Sequence, residues 1–482
     1  MVSYKISRRF PSIGRPVARA LGLTAAIAAF QPASAQLSLG EALRQADRAA
    51  YGNRIAAAET AIQKGQSIAP LKGILPTAQL EAGYIRTTDP IGVFGSTLRQ
   101  RSVSQANFDP QRLNYPDALG NHQGAVVVEQ PLFNVDAWIG RRSAVYAVDA
   151  SRASEEWAKI STRVDVARAY YGAVLAGERT STLRAAARAA HAHVSQAEAL
   201  VHQGVATKSD ALLASVRAGD VDAQLVEAEG EALTSRRSLA VLLGQNSADG
   251  SATALSLSAL PSGEQIRAVV SNDTAAIIPH ERADVQAALK VFDAARADAK
   301  RARSLMMPRV NSFARYDWNS ANRPFAGDKN WTIGIMATWS PFTSPGDIAE
   351  VRVANARGDA ARAQAEAAKA NARLELDQTR TSLQVALARL SIAERAVAQS
   401  AEAHRIVSRK YEGGLAPIAE LLDAQATETQ SALGFSQARW TAIAAAAERL
   451  RALGKDPAAL EALDEPAHTA TALIGSGRHE TR

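Results

Sequence analysis

The chain has 482 residues, of which 47% are apolar, 21% charged and only 5% aromatic, with a formal net charge of +7 and no cysteine. This is the composition of a folded protein, and it excludes disulfides, thiolate metal sites and a lipid anchor, which needs a cysteine at the processing point. Alanine is in marked excess; as the best helix former and the smallest side chain that still packs as a core group, it favours long helices lying close together.

The first 35 residues read as a secretory signal. Lys5, Arg8, Arg9, Arg15 and Arg19 come before any acid, the first being Glu41. An apolar run from Ala20 to Phe30 follows, and Ala33-Ser34-Ala35 matches a small-residue cleavage site. Processing there starts the mature chain at Gln36. It removes five of the 55 basic residues and none of the 48 acids, so the net charge falls from +7 to +2. The basic balance therefore belongs to targeting and gives no argument for nucleic acid. No later stretch has the ~20 uninterrupted apolar residues of a spanning helix.

The mature chain then states one plan twice. Each copy reads as a helix of about 35 residues, two short strands, a helix of about 70, a glycine turn and a returning helix of about 40. The copies cover residues 36–244 and 281–454, joined by a segment at 245–280 that reads as decoration on the outside; 455–482 form a tail. Landmarks recur 210 residues apart: Pro131-Leu132-Phe133 at Pro341-Phe342, Gly204 at Gly414, Asp210 at Glu420, and Leu243-Gly244 at Leu453-Gly454. Leu75-Pro76 returns at Met307-Pro308, an offset of 232, which implies a longer loop between the strands of the first copy.

Taken in chain order, Pro76 is expected to close the first helix and open a strand. That strand alternates Leu80, Ala82 and Tyr84 against Gln79, Glu81 and Gly83. A second strand, Gly124 to Pro131, alternates through Val126 and Val128. Residues 135–202 contain no proline, and a continuous helix of this length would span about 100 Å, which implies an elongated shape. Gly204 suits the left-handed residue that closes a helix, and Thr207, Ser209 and Asp210 suit the start of the next.

In the second copy Pro308 precedes a strand with Val310, Ser312, Ala314, Tyr316 and Trp318 on one face. Trp331, Ile333, Ile335, Ala337 and Trp339 line one face of the next. An apolar side, a polar side and aromatics at the ends match a membrane β-strand, and equally a half-buried strand of a soluble sheet. In the long helix that follows, Ala356, Ala360, Ala363, Ala367 and Ala370 form a heptad-like packing stripe, continued by Leu383, Ala386, Leu390, Ala393, Val397 and Ala401. Arg362, Glu366 and Arg373 fall on other faces. Gly413-Gly414 and Pro417 make the second turn.

With these residues in this order, the chain resembles the TolC-like outer-membrane efflux protein family. The resemblance rests on the duplicated plan, the Leu75-Pro76 and Met307-Pro308 junctions and Pro131-Leu132-Phe133. It also rests on Gly204-Val205-Ala206-Thr207 with Asp210 and Leu212-Leu213-Ala214, and on Tyr411-Glu412-Gly413-Gly414 with Glu420-Leu421-Leu422-Asp423-Ala424. It implies a trimer with a long α-helical barrel joined to a transmembrane β-barrel, four strands coming from each protomer. It implies residence in the outer membrane, reaching into the periplasm, with Pro76, Pro131, Pro308 and Pro341 at the helix–strand junctions. The implied partners are two sister copies, outer-membrane lipid, a periplasmic adaptor and an inner-membrane transporter of RND, ABC or MFS type. No cofactor is implied.

By position, Glu420 and Asp423 resemble the acids that ring the periplasmic constriction. The tips Gly204, Val205, Ala206, Thr207, Gly413, Gly414 and Leu415 match the adaptor-contacting end. Asp210 and Tyr411 resemble two members of a latch whose basic partner is expected near 416; that position is Ala416, and Lys208 is a candidate substitute. The rival classes are the outer-membrane component of one-step protein secretion and a non-conducting coiled-coil surface protein. The eight histidines, His122, His191, His193, His202, His280, His404, His468 and His479, have no repeated ligand spacing, and no HExxH or phosphate loop occurs. An enzyme is not expected.

Overall fold

The computed structural model describes residues 36–246, 256–271, 282–341, 344–456, 460, 461 and 463. The signal-peptide reading, Phe342, three of the histidines (280, 468 and 479) and most of the 455–482 tail lie outside the described residues. Helix α1 (Leu39–Ala49) starts where the Ser38 hydroxyl accepts from the Glu41 N–H at 3.2 Å. Leu39, Ala42, Leu43 and Ala46 form its buried stripe at i, i+3, i+4 and i+7.

The expected single long opening helix is in fact two. Ala50 is extended (φ −56°, ψ 133°) and buried, and separates α1 from α2 (Tyr51–Gln66). The Asn53 amide donates back to the Ala46 carbonyl at 3.2 Å and fastens this corner. The matching helix of the second copy, α8 (Ala283–Ser304), is also shorter than expected.

A 3₁₀ turn at Ala69–Gly73 leads through Pro76 into β1 (Thr77–Thr87). Helices α3 (Pro90–Arg99) and α4 (Pro110–Asn114) occupy the connection to β2 (Leu119–Phe133). Then come α5 (Val135–His202), α6 (Lys208–Leu242), α7 (Gly263–Ser271) and α8. The chain continues with β3 (Arg309–Ser320), β4 (Asp328–Thr338), α9 (Pro345–Glu412) and α10 (Ile418–Ala452). The β1–β2 connection runs over residues 88–118 and the β3–β4 connection over 321–327, the inequality that the change of offset implies. Both long helices have 68 residues and both returning helices 35, with every boundary shifted by 210.

The strands form one antiparallel sheet in the order β1-β2-β3-β4. Pro131 does not sit at a helix–strand junction: it lies inside β2, at a register shift between Pro131 and Phe133. The sheet tolerates it because β1 pairs with β2 only as far as Glu129, so no neighbour on that side needs the missing N–H. Pro76 and Pro308 immediately precede β1 and β3, and Pro341 lies between β4 and α9.

The main core forms where α1, α5, α6, α9 and α10 meet around Tyr170, Tyr171, Leu39, Leu239, Leu390 and Ile443. The connecting segment is part of it rather than decoration, because Leu260 and Ile266 are buried there. Each such side chain contributes roughly 1.5–3 kcal/mol. The Tyr170 hydroxyl donates to the Leu37 carbonyl at 2.7 Å and accepts from the Ser258 N–H at 3.1 Å, tying the segment before α1 to the connector.

The alanine stripe at 356, 360, 363, 367 and 370 is exposed, and the buried set lies one or two residues on, at Ala361, Ala365 and Ala372. Both sets have helical spacing, so periodicity alone does not choose between them. The continuation through Leu383, Ala386 and Leu390 is buried as expected.

Candidate functional site

Two features stand apart from the core: the faces of the sheet and the tips of the helical hairpins. Register places Leu80, Val126, Tyr316 and Trp331 in one row across the sheet, and Ala78, Val128, Ala314 and Ile333 in the next. Leu80, Trp331 and Ile335 are each 72% exposed. A contiguous apolar surface of this kind marks contact with lipid or another protein.

The opposite face is polar. Gln100 donates to Asn121 (2.9 Å), Asn121 to Asn319 (2.9 Å) and Asn319 to Asp317 (2.7 Å). Arg315 bridges Asp317 at 3.8 Å and Glu81 at 2.9 Å. The outer edges of β1 and β4 have no strand partner among the described residues.

At the tips, both long helices end in the same hydrogen-bond pattern. Gly204 (φ +75°) donates to Val201 and Val205 to Leu200, each at 3.0 Å. Gly414 (φ +70°) donates to Tyr411 at 3.0 Å and Leu415 to Lys410 at 2.8 Å. This is a Schellman closure, and the left-handed residue is Gly414; Gly413 has an ordinary φ of −85°. Val205 and Leu415, the residues that follow, are 73% and 82% exposed.

The returning helices start differently. Thr207 and Asp210 form a reciprocal capping box, the Thr207 N–H donating to the Asp210 carboxylate at 3.0 Å and the Asp210 N–H to the Thr207 hydroxyl at 3.3 Å. Pro417 is the N-cap of α10 and offers no side-chain cap. Lys208 is the first residue of α6 and is exposed.

The tips of the two hairpins meet. Ala197 and Ala214 of the first pack with Ile418 and Leu422 of the second, with Tyr411 against them. Tyr411 and Asp210 are therefore neighbours, although the carboxylate of Asp210 is engaged in its cap. Burial, and then the Asp210 charge, push the Tyr411 phenol above its usual range.

Glu420, in the first turn of α10, and Asp423 one turn on are both exposed, while Leu421 and Leu422 between them are buried. This holds the two acids on one outward face. A residue that sequence reasoning missed joins them: Arg217 of α6 lies 4.0 Å from Asp423. Its signal was the heptad step from Asp210, which puts both on one side of α6 beside the buried Ala214. Among the described residues no cluster of three or more His, Asp or Glu side chains is placed to hold a metal ion, and no helix is long and apolar enough to cross a membrane.

Comparison with solved structures places this fold among outer-membrane channels. The outer membrane protein VceC of Vibrio cholerae is 21% identical with a TM-score of 0.71, covering 86% of this chain and 96% of that one. The CmeC outer membrane channel of Campylobacter jejuni is 14% identical with a TM-score of 0.74, covering 89% and 90%. A membrane protein from Pseudomonas aeruginosa is 19% identical with a TM-score of 0.72, covering 86% and 90%. No curated protein sequence matches. The sequence itself matches the family described as outer membrane efflux protein over residues 91–245 and 279–454, more than half of its length. The chain belongs to the outer membrane efflux protein family.

Proposed function

We propose that three copies assemble into one outer-membrane duct, in which the four strands of each protomer close a single β-barrel and the long helices form a periplasmic conduit. The supporting observation is the sheet: an exposed apolar face, a hydrogen-bonded polar face and two edges without a strand partner among the described residues. A bilayer supplies no water to satisfy such edges, so a lipid-embedded sheet must close on itself, and four strands alone cannot enclose a channel. The exposed alanine stripe of α9 is a heptad-spaced surface of the kind another helix covers.

Conduction in this reading is passive, the energy coming from an inner-membrane pump reached through a periplasmic adaptor. Glu420 and Asp423 ring the inner constriction, where carboxylates attract cations and repel anions. Asp210 and Tyr411 belong to the contacts that hold the tips together, and Val205 and Leu415 present apolar groups to an adaptor. Small-molecule efflux is favoured on family breadth; protein secretion is the second use of such a duct. The test is fractionation of the expressed protein, followed by recording of the purified protein in planar bilayers. The expected result is outer-membrane localisation and stepwise ion current; a water-soluble monomer that carries no current overturns it.

A further inference from the structure

The acids of the proposed constriction do not stand alone. The Arg217 guanidinium, on α6, reaches Asp423 on α10 (4.0 Å) and Asp220 one turn further along α6 (3.9 Å). Arg217 and Asp423 are 55% and 77% exposed, so the pair is hydrated and adds little to stability. Its charge still acts on an aqueous passage within a screening length of about 10 Å. Glu420 has no ion pair among the described residues.

We propose that Arg217 is a selectivity-setting residue of the gate, offsetting the Asp423 charge in the closed arrangement and leaving Glu420 as the uncompensated acid of the pair. The inference rests on the constriction reading of Glu420 and Asp423. Arg217 and Asp423 belong to different hairpins, so displacement of one tip against the other lengthens a contact already at 4.0 Å. Opening thereby uncovers Asp423, and the mouth becomes more cation-selective as it widens.

The purified trimer in planar bilayers under a potassium chloride gradient tests this through the reversal potential. Arg217→Gln is expected to raise the cation-to-anion permeability ratio roughly twofold, the scale of a few charges acting across ~10 Å of screened water. Arg217→Lys, which keeps the charge, recovers the original ratio, and Arg217→Gln with Asp423→Asn brings the raised ratio back down. Should the Gln variant not assemble, Arg217→Ser is read in its place. If neutral variants leave the ratio unchanged while Glu420→Gln lowers it, Arg217 has no such role and the constriction stands. Arg217 is equally ruled out if Lys shifts the ratio as far as Gln does. If Glu420→Gln and Asp423→Asn also change nothing, the constriction reading itself fails.

Discussion

Helices α5 and α9 share a length and a set of boundaries, yet they are packed quite differently. At the position where α5 carries Tyr170 and Tyr171, α9 carries Arg380 and Thr381, 210 residues on. The two tyrosines are fully buried, their rings meeting edge to face with centroids 5.2 Å apart, while Arg380 and Thr381 are exposed. Around α5 lie α1, α2, α6, α8 and α10; around α9 lie α7, α8 and α10. A repeated backbone plan thus does not carry a repeated burial pattern. Helix α5 is the more deeply packed of the two long helices, whereas among the returning helices α10 buries more residues than α6.

The comparison is broken most severely at its core. Tyr170→Ala should cost about 3–5 kcal/mol, because it leaves a cavity and strands the Leu37 carbonyl and Ser258 N–H. Arg380→Ala should cost no more than about 0.5 kcal/mol. Thermal unfolding of the two purified variants checks this; equal losses would mean that α9 is as firmly packed at this position as α5.

A smaller contrast lies at the ends of the returning helices. Gly244 and Gly454 have left-handed φ values of +75° and +66°. A Cβ on Gly244 would come 2.3 Å from the Ala49 carbonyl oxygen, a backbone atom, whereas on Gly454 it would meet the Arg282 side chain at 3.4 Å. Gly454→Ala should cost only the left-handed penalty of about 1–2 kcal/mol, and Gly244→Ala distinctly more, with loss of the α1 contact. Limited proteolysis near Ala49 distinguishes the two.

The smallest expected effect is at the seam between hairpins. His193 of α5 is held below the usual histidine range by burial, opposed by a hydrogen bond with Gln196 and reinforced by His404 of α9. His404 in turn pairs with Glu428 of α10. Because the unfolded chain binds the His193 proton more tightly, stability is full above the ordinary value of about 6.5 and declines as pH falls through it. The melting temperature should therefore drop between about pH 7.5 and about pH 5.5, and less so in His193→Gln. An identical drop in both would show that the seam is insensitive to this proton.

Much of the backbone was legible because its signals are local. The extent of α5 and α9 followed from the absence of proline, and the tip turns from Gly204 and Gly414, where only glycine takes the left-handed conformation without cost. The sheet faces followed from two-residue alternation. The candidate site was legible only in part. Glu420 and Asp423 were placed by family resemblance, and Asp210 proved to be committed to a cap. Arg217 was overlooked because its partner is 206 residues away in sequence.

The sequence by itself determined the extent of the two long helices and the place of their tip turns, which strand face is apolar, and that the plan is repeated, since each depends on residues a few positions apart. Tertiary structure alone decided which of two equally spaced alanine stripes on α9 is buried, that Ala50 breaks the opening helix, that Leu260 and Ile266 join the core, and that Arg217 meets Asp423. Small side chains leave helix faces nearly equal in energy, so the choice among them falls to whatever packs alongside.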